Sequence, residues 1–191
     1  ILLVTLSSAG VSRSRLWLLL SVWLAGTLLD GVSQWTVNTG VAQHLAAASE
    51  LVRCALLVIC VVMILRYVLK SGEVTVDTIF GAFVAYFLIA FTFSSLYQAL
   101  VIIEPASFNI PVRSGGGAGA SPSFDLAYFS FVTIATLGYG DIVPKLPVTQ
   151  MLAILEAVTG QFFMAVVVAW LVSVLAGSRR KSGGSAADGQ R

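Results

Sequence analysis

Four apolar stretches decide what this chain can become. They cover residues 16–35, 46–69, 78–103 and 148–176, and each reaches the roughly 20 residues that a helix needs to cross about 30 Å of hydrocarbon. Hydrocarbon offers no water to peptide groups, so a spanning segment has to satisfy its own backbone. The pattern therefore predicts an all-α membrane protein. Composition agrees: 10% of the residues are charged and 58% hydrophobic, whereas a soluble domain carries roughly 25% charged residues. A net charge of +2 spread over scattered basic residues argues against a nucleic-acid partner.

Smaller features fit the same frame. The apolar start, residues 1–6, stops at Ser7 and Ser8 and is too short to span; it reads as the tail end of an earlier membrane helix, with a signal-peptide h-region lacking the usual basic n-region as the alternative. Cys54 and Cys60 stand nearly two helical turns apart in one apolar run, too far to bridge easily, and read as packing residues. Trp17, Trp35 and Tyr67 sit near span ends, where amphipathic rings favour the headgroup region. If the segment 104–146 lies outside, then Arg13, Arg15, Arg66, Lys70, Arg179, Arg180 and Lys181 all fall inside, as the positive-inside rule requires. His44 sits near the outer interface with no evident role.

The outer segment holds a Gly/Ser-rich loop at 114–121 and then about a dozen apolar residues from Phe124 to Ala135. That run is too short to cross a bilayer but suits a re-entrant helix. Ser123 is placed to cap it and Asp125 to meet its positive end. Non-helical backbone must follow within the bilayer, where it survives only buried in protein or lining a wet cavity.

Directly after it stands Thr136-Leu137-Gly138-Tyr139-Gly140-Asp141. This string resembles the signature of the potassium channel pore-loop superfamily, Thr-Val-Gly-Tyr-Gly-Asp. The resemblance extends over about 78–176 and implies outer helix, pore helix, filter and inner helix around a four-fold axis. It implies that the backbone oxygens of Thr136, Leu137, Gly138 and Tyr139, in a filter ending at Gly140, replace the water shell of K⁺. Gly138 and Gly140 accept the dihedrals that turn successive carbonyls to one side. Asp141 then forms a ring of carboxylates at the outer mouth, while Tyr139 is expected to brace against Tyr128 and Phe129. Leu137 departs from the usual valine, and Val132 stands where many relatives carry a carboxylate, so slow inactivation through such a group is not expected.

In the last span, Gly160 follows Gly138 by 22 residues, the family's hinge position; a glycine there also suits close helix packing. Helical spacing puts Gln161, Met164, Val168 and Val172 on one stripe, which the resemblance turns to the cavity as a polar ring above an apolar gate. Glu156, one turn before Gly160, needs a partner or a proton at that depth. Ser130 or Thr133 is the expected partner, giving a filter brace, with proton-sensitive gating as the second reading.

The remaining spans carry no voltage-sensor stripe. Arg53 and Arg66 lie thirteen residues apart, Glu50 can neutralise Arg53 as a helical neighbour, and Arg66 and Lys70 read as snorkelling anchors. Domain organisation is read as N-terminal membrane helices over 1–72, a pore domain over 73–177 and a disordered cytoplasmic tail over 178–191, its basic triplet able to meet anionic lipid heads. The expected function is a homotetrameric, potassium-selective channel of the plasma or inner membrane, with K⁺ as permeant ion and no other cofactor. A less selective cation channel and a non-conducting regulatory subunit are the alternatives. An enzyme is not expected, because the membrane-embedded polar residues are too few and dispersed.

Overall fold

A computed structural model describes residues 39–70, 75–110 and 122–188. The apolar stretches 1–6 and 16–35, Arg13, Arg15 and the Gly/Ser-rich loop lie outside the described residues. Among the described residues four helices occur in the order α1 (Thr39–Lys70), α2 (Val76–Ile103), α3 (Pro122–Ile134) and α4 (Pro147–Asp188). A short 3₁₀ turn, Pro105–Ser107, and strand β1, Phe108–Asn109, follow α2, and strand β2, Val143–Pro144, precedes α4. Among the described residues, three helical stretches are long and apolar enough to cross a membrane, Gly40–Lys70, Val76–Ile103 and Pro147–Trp170. They coincide with the second, third and fourth stretches read from the sequence.

Local chemistry sets the helix ends. Thr75 and Thr78 form a reciprocal cap, Thr78 N donating to Thr75 Oγ1 at 3.3 Å and Thr75 N to Thr78 Oγ1 at 2.9 Å, which satisfies two amides at the start of α2. Pro105 ends α2, because the residue before a proline is pushed out of the helical region; Glu104 is extended, with φ −133° and ψ 94°. Helices α3 and α4 both open on proline, whose missing N–H costs nothing at the first helical position. The start of α3 at Pro122 corrects the capping role expected of Ser123, which lies within the first turn. Asp125 is in that turn as expected. No proline follows Pro147 in the sequence, and α4 continues past residue 176 to Asp188, through much of the stretch read as a tail.

Helices α1 and α2 form a tightly packed pair. A Cβ on Gly81 would stand 2.9 Å from Val68 Cγ2, so glycine permits this approach. At the other end Gln43 Nε2 donates to Ile103 O at 3.1 Å and also to Ile102 O, carbonyls that the end of α2 leaves without intrahelical partners. Within α1, Arg53 Nη1 pairs with Glu50 Oε1 at 2.8 Å, as the spacing predicted. Cys54 and Cys60 are both free thiols.

The core lies where α2, α3 and the strands meet: Tyr97, Phe108, Leu126, Phe129 and Ile142 are all buried. The rings of Tyr97, Phe108 and Phe129 form a triangle with centroids 5.2–5.3 Å apart and near-perpendicular planes, the edge-to-face geometry that aromatic quadrupoles favour. Strands β1 and β2 pair antiparallel, Phe108 opposite Pro144 and Asn109 opposite Val143. Lys145 N donates to Ser107 O at 2.9 Å and Thr149 Oγ1 to the same oxygen at 3.2 Å. The chain leaving α2 is thereby clamped to the chain that follows residues 136–141.

Candidate functional site

The re-entrant helix α3 is tied to its neighbours turn by turn along its rear. At its last turn Ile134 O accepts a hydrogen bond from Tyr86 Oη of α2 at 3.1 Å. The same carbonyl rests against Gly160 of α4, where an added Cβ would lie 2.5 Å from the oxygen. One turn earlier, Ser130 Oγ lies 2.6 Å from Ala90 O of α2 and hydrogen-bonds Glu156 Oε1 of α4. Glu156 Oε2 accepts from Tyr97 Oη at 2.7 Å. Ser130 and Glu156 are both fully buried. Of the two partners expected for Glu156, the structure supplies Ser130 and not Thr133. It adds Tyr97, 59 residues away in the chain, a separation that no local pattern reveals.

Helix α3 ends in two back-bonds, Thr136 N to Thr133 O at 2.9 Å and Leu137 N to Val132 O at 2.9 Å. This is the Schellman arrangement, whose first residue beyond the helix takes a left-handed conformation and is usually glycine. Here it is Thr136, with φ +56°. A left-handed β-branched residue is strained by about 1–3 kcal/mol and marks functional segments. The sequence points to Gly138 and Gly140 for such dihedrals, and both have them, φ +56° and +76°; nothing in a threonine advertises that it joins them. Positive φ thus falls on residues 136, 138 and 140 and not on Leu137 or Tyr139 between them. Alternating hand on successive residues turns successive carbonyls toward one side, where a regular strand would alternate them.

This tip is the least covered part of the site. Residues 135–141 are all exposed, Leu137 at 57% and Tyr139 at 64%. Among the described residues, no hydrogen bond is accepted by a backbone oxygen of residues 136–140. Tyr139 stacks on Tyr128, with centroids 6.4 Å apart and planes 16° apart. Phe129 does not share in that stack: its ring contacts are with Tyr97 and Phe108, because the turn of α3 that presents Tyr128 outward turns Phe129 to the core. Ile142, just beyond Asp141, is buried and anchors the exit of the segment.

Helix α4 buries one narrow face, with Glu156, Gly160 and Val167 against the rest of the chain. Gln161, Met164, Val168 and Val172 are all exposed, and so are Phe162 and Val166 on another side of the helix. Among the described residues no cluster of His, Cys, Asp or Glu could hold a metal ion through side chains.

Long apolar helices flanking a short re-entrant helix and a non-helical tip define a multi-pass membrane protein with a pore-loop fold. A family model described as "Ion channel" matches residues 73–176, so the chain belongs to that family, and its fold is that of the potassium channel pore-loop superfamily. It is 33% identical over 85 residues to two pore potassium channel c of Oryza sativa subsp. japonica, covering 44% of this chain and 18% of that protein. It is 50% identical over 40 residues to two-pore potassium channel 4 of Arabidopsis thaliana, covering 21% of this chain and 14% of that protein. The chain thus spans less than a fifth of the length of these curated relatives. No solved structure matches it.

Proposed function

We propose that this chain forms a potassium-selective channel in the plasma or inner membrane, assembled as a homotetramer whose four tips line one axis. The observation that carries the proposal is the tip itself: backbone oxygens of residues 136–140 that accept no hydrogen bond among the described residues, on exposed non-helical chain of alternating hand. Such backbone is tolerated at membrane depth only if protein buries it or it faces a wet cavity, and three further copies of the loop provide both. Oxygens of Thr136, Leu137, Gly138 and Tyr139 then stand in for the hydration of K⁺, with Gly140 closing the filter and Asp141 concentrating cations at its mouth.

The other roles follow from that arrangement. Tyr128 braces Tyr139 directly, and Phe129 braces the filter indirectly by fixing α3 to α2. Glu156 locks α3 to α4 through Ser130. Gln161, Met164, Val168 and Val172 line the cavity and the apolar gate. Gly160 is a seat for the Ile134 carbonyl, a reading supported by the 2.5 Å approach, in preference to a hinge. Residues 73–177 make up the pore domain, and the apolar stretches 16–35 and 46–69 carry no charge stripe with which to sense voltage.

Reconstitution into liposomes tests the reading. Potassium flux well above sodium flux is expected, together with a particle containing four chains. Equal fluxes of the two ions would leave the less selective cation channel, and no flux from a well-formed assembly would leave the regulatory subunit.

A further inference from the structure

The hydrogen bonds around Glu156 contain a count that does not close for a carboxylate. Three oxygen–oxygen contacts run in a chain: Tyr97 Oη to Glu156 Oε2 at 2.7 Å, Glu156 Oε1 to Ser130 Oγ, and Ser130 Oγ to Ala90 O at 2.6 Å. Each contact at such a distance needs one hydrogen between its oxygens. Tyr97 and Ser130 each bring one hydroxyl hydrogen, and the Ala90 carbonyl brings none. Two hydrogens cannot give each of three such contacts a well-aligned hydrogen of its own. The carboxyl group itself is the remaining source of a third.

We propose that Glu156 is held as a neutral carboxylic acid, a buried proton site that locks the pore helix between the outer and inner helices. The hydrogens then run one way along the chain. Tyr97 donates to Oε2, Oε1 carries the acid proton and donates to Ser130 Oγ, and Ser130 donates to Ala90 O. Removal of the proton leaves two hydrogens for three contacts, so one pair of oxygens faces each other bare and separates. Ser130 is one turn from Ile134, the residue seated on Gly160 and leading into Thr136, so that separation is transmitted to the tip.

The surroundings offer no substitute for the proton. From α2 the titratable groups facing Glu156 are Tyr97, in direct contact, and Tyr86, close enough to interact electrostatically. From α3 the facing group is the Ser130 hydroxyl, and on α4 itself the neighbours one turn either way, Leu152 and Gly160, carry no charge. Among the described residues the ion pair found is Arg53–Glu50 on α1, and no cation reaches Glu156. An ionised carboxylate at membrane depth without a cation beside it is costly.

The protonation state is independent of whether the chain conducts; only the coupling to conduction rests on the proposed pore. Infrared difference spectra of the full chain in lipid, wild type against Glu156→Gln, test the first part. At neutral pH the wild type is expected to show a carboxylic-acid carbonyl band that the variant lacks and that disappears at alkaline pH. Identical spectra in that region overturn the proposal. If Glu156→Gln does not fold, Tyr97→Phe serves instead: loss of the donor to Oε2 is expected to shift the acid band, and an unmoved spectrum overturns the proposal. Potassium flux in the same liposomes tests the coupling. Wild-type flux is expected to fall as the band is lost, while Glu156→Gln, whose amide donates to Ser130 and accepts from Tyr97 at any pH, holds its flux. A band that titrates while wild-type flux stays constant overturns the coupling and leaves the proton site standing.

Discussion

The rear of the re-entrant helix and the tip that follows it are a few residues apart and solve opposite problems. The rear, Leu126 to Ile134, is finished within one chain: apolar side chains are buried, the Ser130 hydroxyl is engaged, and the terminal carbonyl of Ile134 takes Tyr86 and rests on Gly160. The tip, 135–141, is exposed, and its backbone oxygens are offered rather than used. A single chain therefore holds the base of the loop rigid, and in the proposed assembly the tip is left to be completed by other copies. Changes at the rear should act on stability first and conduction second, and changes at the tip the reverse.

The largest effect is expected at the tip. Gly138→Ala places a Cβ at φ +56°, which costs about 1–2 kcal/mol per chain and, in the proposed tetramer, recurs four times around the filter. Potassium flux should be lost while the helical content seen by circular dichroism is unchanged; a conducting variant would break the assignment of the filter.

Gly160→Ala is the next largest and sets the two readings of that glycine against each other. A hinge replaced by alanine gains about 1 kcal/mol of helix propensity, so thermal unfolding in detergent should move up. A seat replaced by alanine drives Cβ into the Ile134 carbonyl, an overpacking cost of about 1–3 kcal/mol, so unfolding should move down and flux should fall. The downward shift is expected.

Tyr97→Phe removes one buried donor and leaves an oxygen of Glu156 without its partner, an effect of about 1–3 kcal/mol. A lower unfolding temperature with unchanged preference for potassium over sodium is the expected result; lost selectivity would show that the rear and the tip are not separable. Leu137→Val should do least, because only the Leu137 carbonyl is proposed to face ions. The ratio of potassium to sodium flux should stay as it is, and a changed ratio would mean that packing behind the filter sets its width.

What could be read from the residues alone were features with short-range signatures. Spans are runs of apolar residues, the Glu50–Arg53 pair is a helical spacing, and Gly138 and Gly140 announce left-handed backbone because no other residue enters it cheaply. Ser123 misled because serine is a common cap, whereas Pro122 already occupied the first helical position. Phe129 misled because adjacency to Tyr128 says nothing of which face of α3 each ring takes. Tyr97 and Ala90 were silent, since their meeting with Glu156 and Ser130 depends on how α2 lies across α3.

The sequence by itself determined that this chain is built of membrane-spanning helices, where it turns back within the bilayer, and which six residues stand at the turning point, because hydrocarbon enforces helices and left-handed backbone selects glycine. Tertiary structure alone decided that Thr136 would be left-handed, that Gly160 would receive a carbonyl, and that Glu156 would meet Tyr97 and Ser130. These follow from the relative placement of three helices, which is fixed by side-chain packing between residues far apart in the chain and leaves no mark on the pattern within any one of them.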